Sequence, residues 1–122
     1  MTNKYGIPDW LERKVRNRDK YCVYCHKKLV YPFISKKQGD CATIEHLNEN
    51  EPFYWEDGLQ IEDIVICCGQ CNSSRGPKKL SNWFKTKYCI TKNINENTVA
   101  NPVKKYLIRK KKDKNHNFKE KP

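Results

Sequence analysis

Short apolar runs alternate with polar stretches along this chain, and the period of each run predicts an element. Trp10, Leu11 and Val15 recur at helical spacing with Arg13, Lys14, Arg16 and Arg18 facing away, so residues 10–18 read as an amphipathic helix. Asp9 stands where a capping residue belongs. Residues 30–38 show no firm period and read as a loop or a weak strand. Residues 41–47 alternate and are rich in β-branched side chains, and 61–67 form a second apolar run; the two predict an antiparallel hairpin. Between them, residues 48–58 form an acidic loop carrying Phe53, Tyr54 and Trp55, more simply packing residues than ligand contacts. A helix opens at 71–74, and Pro77 either interrupts it or begins another. Leu80, Trp83, Phe84 and Tyr88 then recur at three- and four-residue intervals, the pattern of a helix with an aromatic core face. Residues 90–101 read as an asparagine-rich loop and 102–112 as a basic helix bearing Val103, Tyr106 and Leu107. Beyond Asp113 there is little to bury, which predicts disorder. The sum is an α+β chain: one domain over residues 1–112 with a basic tail over 113–122.

Composition adds a constraint. Only 37% of the 122 residues are hydrophobic and the mean hydropathy is -0.98, so the core is thin for its length. Small domains of this kind commonly need a staple. Disulfides are one option, but the first ten residues lack the apolar segment of a secretory leader, and seven cysteines is an odd number to pair. A reduced, cytoplasmic, zinc-bound protein is the better expectation. No stretch approaches the ~20 apolar residues of a membrane span.

Charge points to a polyanion. The net charge is +11, from 25 Lys and Arg against 14 Asp and Glu. Its distribution is uneven. Residues 41–63 hold seven acids and no Lys or Arg, whereas 104–122 hold nine bases and two acids. The basic parts suit phosphates and the acidic middle suits a cation.

The chemistry-bearing residues fall in a definite order. Cys22-Val23-Tyr24-Cys25 and Cys68-Gly69-Gln70-Cys71 are two Cys-x-x-Cys knuckles, a donor set suited to a closed tetrahedral structural zinc. His26 is a competing ligand, less well spaced. Cys67 and Cys68 are adjacent and only one fits a knuckle; the two-residue spacing selects Cys68, leaving Cys41, Cys67 and Cys89 as free thiols. Between the knuckles lies Glu45-His46, and Asn72 follows the last cysteine. A carboxylate and an amide oxygen suit a hard ion such as Mg²⁺ or Mn²⁺, with a histidine beside them as a general base.

The runs Thr43-Ile44-Glu45-His46-Leu47, Glu62-Asp63-Ile64-Val65-Ile66-Cys67-Cys68 and Cys71-Asn72-Ser73-Ser74-Arg75-Gly76 together resemble the HNH endonuclease family, of ββα-metal fold. The resemblance spans about residues 21–76. It implies a small zinc-stapled ββα core flanked by helices, and metal-dependent hydrolysis of phosphodiester bonds in nucleic acid, most simply double-stranded DNA. It also implies roles: His46 activates the attacking water, Glu45 and Asn72 hold the catalytic ion, and Arg75 contacts phosphate. Lys78, Lys79, Arg13 and Arg16 would join it in gripping the backbone. Glu45 stands where the family more often has Asp, Asp63 at the middle Asn position that orients the histidine, and Asn72 where the last His falls. With no separate recognition segment evident, the expectation is either low sequence specificity or specificity supplied by a homodimer, a partner protein or the acidic aromatic loop at 49–58. The competing expectation is a non-catalytic, zinc-stabilised nucleic-acid-binding module.

Overall fold

A computed structural model describes residues 2–120 of the chain, with side chains as far as residue 112. The elements run α1 (Asp9–Arg18), β1 (Ala42–His46), β2 (Ile64–Cys68), α2 (Gly69–Arg75), α3 (Leu80–Trp83), α4 (Lys87–Lys92) and α5 (Asn101–Glu120). The architecture is α+β, with β1 and β2 paired antiparallel in the register Ala42 to Cys68 and His46 to Ile64.

β2 is buried along its whole length, which is why its sequence reads as a continuous apolar run rather than an alternation. Ile64 and Ile66 join Ile7, Leu11, Val15 and Leu59 in one apolar cluster under α1. Val65 and Cys67 point the other way, into a larger cluster with Tyr24, Trp83, Cys89, Val103 and Tyr106. The hairpin is therefore the middle layer between α1 and the later helices.

The two outer edges of this small sheet are also occupied. On β2, Val23 N–H donates to Ile66 O, Arg18 Nη2 to Ile64 O at 2.8 Å, and Ile66 N–H to Asp19 Oδ2 at 3.0 Å. On β1, Ala42 N–H reaches Val30 O, while Asn72 Nδ2 and Arg75 Nη1 donate to Ile44 O and His46 O at 3.4 and 2.9 Å. Backbone groups that a third strand would satisfy are met by side chains and loops instead.

Several expectations shift. Asp9 does not cap α1: Pro8 holds the N-cap position, and the Asp9 carboxylate accepts from Asn3 Nδ2 at 3.0 Å inside the first turn. Its charge still suits the positive end of the helix dipole. The aromatic stripe from Leu80 to Tyr88 is split between α3 and α4, because Thr86 Oγ1 accepts from Cys89 N–H and starts a fresh helix. α4 ends at Lys92, where Asn93 takes a left-handed conformation, so part of the expected loop is helical. The second strand begins at Ile64, after a short turn over Ile61–Asp63. α5 runs from Asn101 to Glu120, longer than the helix expected over 102–112. The last two residues lie outside those described.

Candidate functional site

The four knuckle cysteines converge. Their sulfurs all lie within 4.8 Å of one another, and Cys25 and Cys68 Sγ are 3.8 Å apart. A tetrahedron with Zn–S bonds of ~2.3 Å has sulfur–sulfur edges of about 3.8 Å, which the Cys25–Cys68 edge matches. Each knuckle directs a backbone N–H at its first sulfur, Cys25 N to Cys22 Sγ and Cys71 N to Cys68 Sγ. Hydrogen bonds from Cys68 and Cys71 hold Cys22 far below the usual thiol range, while the Cys68 thiol, bonded to Cys22, is pushed up to about 12. The cluster is compatible with a structural metal such as zinc. His26 is not part of it: its ring bonds to Thr98 O. Cys67 is also outside, beside Thr43 Oγ1. Tyr88, which the motif did not single out, places its hydroxyl 3.2 Å from Cys71 Sγ.

Because Cys68 and Cys71 fix the start of α2, that helix lies along β1. Asn72 Nδ2 donates to Thr43 Oγ1 at 3.0 Å, and Thr43 Oγ1 donates in turn to Cys67 O. One turn later, Arg75 meets Glu45. Its Nη1 is 3.1 Å from Glu45 Oε2, which also accepts the Tyr24 hydroxyl at 2.8 Å. Arg75 further donates to His46 O, Leu47 O and Lys78 O. Arg75 is 3% exposed and Glu45 6%.

Four acceptors inside the protein engage the guanidinium of Arg75, the side chain expected to contact phosphate. Glu45 and Asn72 do not converge by their hydrogen bonds: Asn72 binds opposite Thr43, and Glu45 binds opposite Arg75. Burial raises the Glu45 pKa, with Arg75 and Tyr24 opposing the rise. Even so, both of its hydrogen bonds go to Oε2. Glu45 Oε1 and the Asn72 amide oxygen have no hydrogen-bond partner among the described residues. The two side chains thus engage different partners along β1.

His46 lies on the other face of β1, as strand alternation requires. Its ring packs edge-on to Phe53 at 5.9 Å and lines a shallow cleft with Ile44, Lys4, Tyr5 and Tyr54. Burial lowers its pKa, against a hydrogen bond to the Phe53 backbone. Its Nε2 is buried and has no hydrogen-bond partner among the described residues. Asp63 braces the loop through its backbone, accepting Leu47 N–H, while its carboxylate pairs with Arg109 of α5. That tether was invisible in the motif, which ends thirty residues earlier. Lys78 and Lys79 are exposed, Lys79 lying 3.9 Å from Glu49. Arg13 is exposed on α1, whereas Arg16 is held by Glu12 at 2.7 Å.

Compared with known proteins, the chain matches no family model, no curated protein and no solved structure. Among the described residues no helix is long and apolar enough to cross a membrane.

Proposed function

We propose that this chain is a zinc-stapled, metal-dependent nuclease of the HNH kind, hydrolysing phosphodiester bonds in nucleic acid. One observation carries the reading: Glu45 Oε1, the Asn72 amide oxygen and His46 Nε2, the atoms such chemistry would use, have no hydrogen-bond partner among the described residues. All three belong to the β1–α2 unit that the cysteines hold together. A divalent ion such as Mg²⁺ or Mn²⁺ at the two oxygens would stabilise charge on the phosphate. His46, whose pKa burial lowers, would take a proton from a water admitted to its buried Nε2. The net charge of +11 supports a nucleic-acid substrate.

A second reading, a non-catalytic zinc module that only binds nucleic acid, is favoured by the buried Arg75–Glu45–Tyr24 cluster. It is favoured too by the placement of Glu45 and His46 on opposite faces of one strand.

Incubating supercoiled plasmid with wild type and His46→Ala, each in EDTA, Mg²⁺, Mn²⁺ and Zn²⁺, separates the two. Nicking that needs added metal and vanishes in His46→Ala is the expected result. Equal DNA binding by both proteins with no cleavage in any metal would leave the binding module.

A further inference from the structure

Residues 31–39 form the longest fully exposed stretch before α5, yet they contain three large apolar side chains. Tyr31 and Phe33 are each 63% exposed, and Ile34 is 46% exposed. An exposed aromatic pair on a floppy loop would signify little, but this loop is held in shape. Val30 N–H donates to Asp40 O and Ala42 N–H to Val30 O, closing its base. The buried Cys41 thiol accepts from Ile34 N–H and lies within hydrogen-bonding distance of Ile34 O and Lys37 O. At its far side the loop rests on α2 so closely that a Cβ on Gly69 would meet Gln38 O at 2.4 Å. The rings are therefore presented outward by a braced strap.

Their surroundings are cationic. The Arg16 guanidinium sits 4.3 Å from the Tyr31 ring centroid, backing one face of the ring. Phe33 lines a groove with Lys36, Lys37, Thr43 and Asn72. The nearby acids are already committed, Glu12 to Arg16 and Asp40 to Lys27. Exposed flat rings beside Lys36 and Lys37, which have no ion-pair partner among the described residues, match a ligand with π-faces and a phosphate backbone, and match an apolar protein partner poorly.

We infer that the Tyr31–Ile34 strap is a stacking platform for unpaired bases, so that the preferred ligand is a nucleic acid with a single-stranded segment rather than plain duplex. This rests on the nucleic-acid reading above, though not on catalysis. Bases stack on Tyr31 and Phe33, Lys36 and Lys37 hold the backbone, and the strand passes into the groove ending at Asn72.

Fluorescence anisotropy with a labelled oligothymidine and a hairpin duplex of equal length tests it, using wild type and the double variant Tyr31→Ala, Phe33→Ala. Both rings are exposed, so zinc content and thermal unfolding should not change. The expected result is tighter wild-type binding to the single strand, and a loss of about tenfold or more in the double variant with duplex affinity unchanged. Lys36→Gln should lower the salt slope for the single strand by about 0.7. Unchanged single-strand affinity in the double variant, or an equal loss on duplex, would overturn the platform and leave the nucleic-acid reading intact. A wild type that binds neither probe would overturn both.

Discussion

On one face of β1, Thr43 and Glu45 meet α2 through hydrogen bonds and a buried ion pair; on the other, Ala42, Ile44 and His46 meet the cluster beneath α1 and the aromatic loop by packing. Both faces are covered, but by different physics. The polar face is specific and brittle, since a buried charge that loses its partner keeps its full desolvation cost. The apolar face is more forgiving, because neighbouring side chains can partly fill a lost contact. The contrast also separates two residues adjacent in sequence: Glu45 belongs to the brittle face and His46 to the forgiving one.

The strongest way to break this arrangement is at the staple both faces share. Cys71→Ser, or removal of metal by a chelator, should abolish cooperative thermal unfolding followed by circular dichroism. Apparent zinc-binding energies of roughly 10–16 kcal/mol rival the whole stability of a domain, about 5–15 kcal/mol. A metal-free chain that unfolds as sharply as the metal-bound one would show that the core stands alone. Next is the polar face itself. Arg75→Met leaves Glu45 buried with only Tyr24, and should cost about 3–5 kcal/mol in urea denaturation. Adding Glu45→Gln to that variant should recover part of the loss; strict additivity of the two would mean the ion pair is not coupled.

The smallest effect belongs to His46. Its folded pKa lies below the ordinary 6.5 because burial disfavours the charged ring. The unfolded chain therefore takes up the proton first. This contribution to stability is complete above about pH 6.5 and is lost as pH falls toward the folded value. His46→Gln should flatten the stability profile over that window. A profile identical to wild type would mean the ring titrates as if exposed.

The cysteine cluster was legible in the sequence because its signal is local: two fixed spacings and thiol chemistry, enough to choose Cys68 over Cys67. The hairpin was legible from alternation in β1 and unbroken apolarity in β2. Arg75 was not. An arginine after Asn72-Ser73-Ser74 looks like a solvent-facing phosphate contact, and only the fold reveals that Glu45 and carbonyls from two loops gather around it. Asp9 misled for a similar reason, since its capping geometry was pre-empted by Asn3, six residues away. The break between α3 and α4 did have a signal, Thr86 at an N-cap position, but the aromatic periodicity running through it concealed the stop.

The closed edges of the sheet have a consequence for self-association. A two-stranded ribbon normally leaves open edges on which another chain can template itself. Here Arg18 and Asp19 fasten one margin, and Asn72 and Arg75 fasten the other. A second copy of the chain cannot extend this sheet strand by strand without first displacing those side chains. If the protein pairs with itself, it must do so through its helices or loops, and the ribbon at its centre does not offer a seed for fibres.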